Sequence, residues 1–178
     1  MGQNANPLFG SLGGVSARVA AAGTGAVNVA TGLPVLDHLL TLLARSGRFD
    51  LALELAPGDA EAEVSEAGRA LGEALAPLLR AGGAPGHGSG VMPAQEALAQ
   101  VALEVSGTTL LASNVDLSAA RAGGLHSDLA KRFLEAFVQA AGLTLHVRLI
   151  DGDDSQHVLE AIFKALGVAL SHACARRP

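Results

Sequence analysis

In segment 155–166, SQHVLEAIFKAL, His157, Glu160 and Lys164 fall at i, i+3 and i+7. On a helix these positions share one face, so an imidazole nitrogen, a carboxylate and an ammonium point the same way. Such a face suits a metal ion held by the first two groups and an anion countered by the third. The plainer alternatives are a surface His–Glu contact and a solvated lysine. His38, next to Asp37 in an apolar run, is a further imidazole, either a half-buried structural histidine or a ligand.

These residues need a scaffold, and the chain suggests a duplicated one. Ala165, Leu166, Gly167, Ala169 and Leu170 lie 95 positions after Ala70, Leu71, Gly72, Ala74 and Leu75. At the same offset His157 meets Ala62 and Glu160 meets Ser65, so the candidate ligands occur in one copy only.

In the first half, Val15, Ala17 and Val19 alternate, as do Val27 and Val29, which predicts a hairpin around 23–25. Pro34 opens a helix through Leu36, Leu39, Leu40 and Leu43, with Gly47 as its stop. A strand follows at 49–55 and a helix at 62–80. The glycine-rich run 81–92 reads as a linker, because glycine makes regular structure costly. Beyond it, 101–105 and 110–117 read as a second hairpin, with a helix over 127–141, a strand over 143–150 and a helix over 155–174. The expected organisation is a tail 1–13, a first ββαβα half 14–80, the linker, and a second half 93–176. Together these predict an α+β pseudo-dimer with helices on one face of each sheet.

Composition narrows the function. Of 178 residues 49% are hydrophobic, enough for a packed core, and the apolar excess suits subunit interfaces. A formal charge of −5, with neither Trp nor Tyr, argues against nucleic acid or an acidic membrane surface as partner. No run of about 18 apolar residues free of charges predicts a membrane span, and the start lacks a secretory pattern. The single Cys174 excludes an internal disulfide and suits a reducing compartment, so a cytoplasmic location is expected.

Three segments, 31–51, 141–149 and 156–170, resemble imidazoleglycerol-phosphate dehydratase, the histidine-biosynthesis lyase, in order and spacing. The resemblance implies a duplicated ββαβα fold, trimer-based homo-oligomers and dehydration of imidazoleglycerol phosphate to imidazoleacetol phosphate. It also implies manganese, because an imidazole ring becomes a usable electron sink only when a Lewis acid stabilises its deprotonated form.

Carried over by position, the resemblance makes His38, His157 and Glu160 metal ligands and Lys164 a phosphate contact. Glu96, in PAQEAL (93–98), becomes a substrate-site residue or a plain strand-entry residue. Other family positions differ here. Gln156, Glu61, Ala62 and Ser65 replace metal-site residues, Arg132 replaces a histidine, and Gly86 and Thr108 replace phosphate-binding arginines. Glu61, Glu63 and Glu66 are either substitute oxygen ligands or the acidic first turn of a helix. His126 is a weak substitute ligand, His87 a linker residue and His146 a sheet-surface residue. The expected function is that of a dehydratase homologue acting on this phosphorylated imidazole. The alternative is a catalytically inactive paralogue with a structural or regulatory role in an oligomer.

Overall fold

Leu51, Leu53 and Leu55 are buried and alternate with exposed residues, while Ala97, Ala99, Val101 and Leu103 are buried and alternate with half-buried ones. Each series is one face of a sheet pressed onto helices. The computed structural model describes residues 15–21, 23–117 and 128–175. The expected tail 1–13 and His126 lie outside the described residues.

The elements run β1 (Val15–Ala20), β2 (Val27–Ala30), α1 (Pro34–Gly47), β3 (Asp50–Leu55), α2 (Ala60–Leu79), β4 (His87–Ala94), β5 (Ala97–Glu104), β6 (Leu110–Ser113), α3 (Leu129–Ala141), β7 (Thr144–Asp151) and α4 (Ser155–Cys174). The repeat is therefore β1β2α1β3α2 against β5β6α3β7α4, with β4 added at one edge. This is the α+β pseudo-dimer expected from the duplicated pattern.

The strand pairing departs from the expected hairpins. β1 runs antiparallel and β2 parallel to β3, giving the order β1-β3-β2. In the second sheet β5 and β6 flank β7 in the same way, and β4 pairs with β5, giving β4-β5-β7-β6. The short connection after β1 thus does not close a hairpin. β3 returns from α1 and takes the position between β1 and β2.

The glycine-rich run is only partly a linker, because β4 begins at His87. Gly88 and Gly90 lie where α4 crosses the strand. A Cβ at Gly90 would come within 2.6 Å of the Ala165 carbonyl, and one at Gly88 would strike the Ala169 carbonyl. Close approach by the helix, rather than loop freedom, accounts for these glycines.

The helices meet across the duplication, α2 on α3 and α1 on α4. Gly72 and Gly167, the glycines of the repeated Ala-Leu-Gly, occupy equivalent crossings. A Cβ on Gly72 would lie 2.6 Å from the Phe137 carbonyl, and one on Gly167 would strike that of Leu43. Gly47 also serves this contact as the last residue of α1, while Arg48 takes the left-handed capping position, at φ 55°. The expected helix stop is therefore shifted by one residue.

Phe163 anchors α4 in the core against Phe133 of α3, their ring centroids 5.5 Å apart. Among the described helices, α4 is long and apolar enough to cross a bilayer by composition, yet 67% of that window is buried inside the protein. It is the central core helix.

Candidate functional site

The local chemistry at the start of α4 aims its polar face. Asp154 is the N-cap, and its carboxylate accepts the amides of Gln156 at 2.9 Å and His157 at 3.0 Å. Burial of Val158, Leu159, Ile162 and Phe163 turns His157, Glu160 and Lys164 away from the core. On the facing helix, Asp37 accepts from the Thr31 amide at 2.9 Å, fixing the entry into α1 and the position of His38.

His38 Nε2 lies 3.0 Å from Glu160 Oε1, which also accepts from Gln156 Nε2 at 3.2 Å. A carboxylate only accepts, so this His38 nitrogen carries the proton. Glu160 is 16% exposed and His38 51%, so the pair lies at the surface edge of the α1–α4 contact.

Glu96 comes from the two-residue turn joining β4 to β5. Gln95 holds a left-handed conformation there, at φ 52°, a strain of order 1 kcal/mol for a residue with a Cβ. Glu96 Oε2 is 2.6 Å from His157 Nδ1, and Oε1 accepts the Asp154 amide at 3.0 Å. Hydrogen bonds from the Asp154 amide, then from its own backbone amide, and then from His157 hold the Glu96 carboxyl down at about 2. Glu96, with help from Asp154 and Glu160, raises the His157 imidazole above its ordinary value. Lys164 donates to the Pro93 carbonyl at 2.6 Å, so the same turn is tied to α4 at both ends.

The predicted His38, Glu160, His157, Glu96 and Lys164 therefore meet along α4. Asp154 and Gln156 join them. Sequence reasoning passed over Asp154 as a site residue, although an aspartate just before a helix is a recognisable capping signal.

The other half of the duplication carries a different arrangement. Arg132 on α3 lies 2.9 Å from Asp128 and 3.3 Å from Glu61 on α2. Glu66 pairs with Arg69, and Glu63 accepts the Gly58 amide at 2.6 Å. The three glutamates offered as substitute ligands thus face three separate partners. Glu61 and Glu63 occupy the acidic first turn of α2. His87 and His146 line a separate hollow of about 660 Å³ with Glu104 and His172, and His146 is exposed on β7 as expected.

Among the described residues, no three His, Cys, Asp or Glu side chains converge as a metal-binding group. His38 Nε2 pairs with Glu160 and His157 Nδ1 pairs with Glu96. The donors described in one chain do not by themselves fit a bound metal.

The sequence model of imidazoleglycerol-phosphate dehydratase matches residues 31–170, a span holding every residue of this site. The chain belongs to the imidazoleglycerol-phosphate dehydratase family. Curated relatives of that name from Pelobacter propionicus and Syntrophobacter fumaroxidans are 40% and 42% identical over 156 residues. Each alignment covers 85% of this chain, with 80% and 79% of the respective relative. The crystal structure of imidazoleglycerol-phosphate dehydratase from Staphylococcus aureus superposes with a TM-score of 0.83 at 30% identity, over 92% of this chain and 94% of that one. The Pyrococcus furiosus enzyme in complex with (S)-C348 gives 0.77 at 26%, over 92% and 91%. At family level the chain's function is that of these dehydratases.

Proposed function

We propose that the chain acts in histidine biosynthesis as a subunit that removes water from imidazoleglycerol phosphate to give imidazoleacetol phosphate. The observation that supports this reading is the meeting of His38, Glu160, His157 and Lys164 along one face of α4, inside the matched family span. Lys164 is assigned to the substrate phosphate. Its ammonium has three donors, and the Pro93 carbonyl takes one of them. His38, His157 and Glu160 are assigned to the metal-binding side, with manganese the ion implied by the resemblance. One chain's described donors do not complete such a site, so the reading requires further donors from a neighbouring copy. This makes the active species a homo-oligomer, trimer-based in the family pattern. A cytoplasmic location suits a reaction on a soluble phosphorylated substrate, and a single thiol is consistent with it.

A second reading is favoured by one observation. Arg132 brings a fixed positive charge, paired with Glu61 and Asp128, to a position where the family resemblance implies a histidine ligand. A guanidinium at that place opposes cation binding by direct repulsion. On this reading the chain is a catalytically inactive paralogue that retains the fold and interfaces for a structural or regulatory role.

One experiment separates the two readings. The manganese-equilibrated oligomer is assayed for imidazoleacetol phosphate, and its metal content is measured by inductively coupled plasma mass spectrometry. Turnover with stoichiometric metal supports the dehydratase. A folded oligomer with neither turnover nor metal overturns it in favour of the paralogue.

A further inference from the structure

Glu96 spends both carboxylate oxygens on α4. One accepts the amide of Asp154, the N-cap residue, at 3.0 Å, and the other meets His157 Nδ1 at 2.6 Å. Asp154 in turn accepts the amide of His157 at 3.0 Å, so backbone and ring of this residue are held by one connected set of bonds. The set is closed from below by Lys164, which grips Pro93 three residues before Glu96. The turn bearing Glu96 is thus tied to α4 at both places.

A carboxylate facing Nδ1 can only accept a hydrogen bond, which places a proton on that nitrogen. Free neutral imidazoles of histidine favour the other tautomer, with the proton on Nε2. At His157 Nε2 has no hydrogen-bond partner among the described residues. We infer that Glu96 is a positioning residue that fixes His157 as the Nδ1–H tautomer and leaves Nε2 as an outward lone pair for the site. Its part in turnover rests on the dehydratase reading, whereas the tautomer does not. A lone pair on Nε2 is what a nitrogen needs in order to act as a ligand or to accept a proton. Glu96 thus acts through His157 and not on the substrate, which separates its role from that of Lys164.

The test is a long-range ¹H–¹⁵N correlation spectrum of the chelator-treated, full-length oligomer, recorded at a pH where the ring is neutral. The His157 signals are assigned by their loss in His157→Gln. The expected result is an Nδ1–H tautomer in the unaltered protein and reversion to Nε2–H in Glu96→Ala. An Nε2–H ring in the unaltered protein, or an Nδ1–H ring that survives Glu96→Ala, overturns the proposal. If Glu96→Ala does not fold, the unaltered spectrum decides alone.

In the dehydratase assay Glu96→Ala is expected to lower kcat by about 10–100-fold with little change in KM, as for other partners that orient an active histidine. A raised KM at unchanged kcat would instead make Glu96 a substrate contact and overturn its positioning role. Absence of turnover in the unaltered protein defeats the dehydratase reading, and the spectrum still decides the role of Glu96.

Discussion

His38 and Glu160 stand 122 positions apart and meet at 3.0 Å, Nε2 to Oε1, across the contact of α1 with α4. The equivalent contact of α2 with α3 instead carries Arg132 and Glu61, at 3.3 Å. The duplicated frame thus presents a histidine–carboxylate pair at one helix crossing and an arginine–carboxylate pair at the other.

Replacing His38 with Ala leaves Glu160 with the Gln156 amide as its side-chain partner. Because His38 is half exposed, water replaces much of the lost contact, and the expected cost is about 0.5–1 kcal/mol. Thermal unfolding should show a fall in Tm of a few degrees. A loss several times larger would mean that the pair is buried in the oligomer.

At Gly167, alanine meets the Leu43 backbone, which cannot rotate away like a side chain. Urea denaturation of Gly167→Ala should show a loss of at least about 1–3 kcal/mol. Gly82→Ala is the control, since nothing lies within 4 Å of a Cβ there. It should be neutral or slightly stabilising, through its effect on the unfolded chain.

The Glu96–His157 pair gives stability a bounded pH window. Glu96 is held at about 2 against an ordinary 4.5, so its contribution is present above 4.5 and disappears as pH falls toward 2. His157 is raised above 6.5, so its contribution is complete below 6.5 and disappears as pH rises through the raised value. The Tm difference between the unaltered protein and Glu96→Ala should therefore be largest between pH 4.5 and 6.5 and shrink on either side. A difference flat across the whole range would contradict this.

Burial pushes the Cys174 thiol up to about 11, so little thiolate exists near neutrality. A thiol-specific disulfide reagent should react slowly with the native protein at pH 8 and rapidly after denaturation. Fast native labelling would show that the end of α4 opens readily.

Elements were legible in the sequence where their signals are local. The helix predicted over 155–174 has those same bounds in the structure, because an Asp cap, apolar spacing and unbroken helix formers act within a few turns. The 95-residue offset likewise carries over to α2 and α4, which it superimposes end to end. Strand alternation reveals β1, β2, β3 and β5, and β6 reads as the strand pairing back on β5, but the neighbours differ. Period-two burial identifies a sheet face while leaving open which strand supplies the hydrogen bonds.

For the site, residue types and family resemblance singled out His38, Glu96, His157, Glu160 and Lys164. Their partners were decided by tertiary structure. Glu96 reaches His157 because β4 and β5 turn beneath α4, and Arg132 finds Glu61 because α2 packs on α3. The glycines of 88–90 read as loop residues until α4 is seen lying against them. Short-range spacing thus determined the helices, the repeat and the polar face of α4. Strand order, the close helix crossings and the pairing of each charged group belong to the tertiary structure, because they depend on contacts between segments tens of residues apart, whose packing no local pattern encodes.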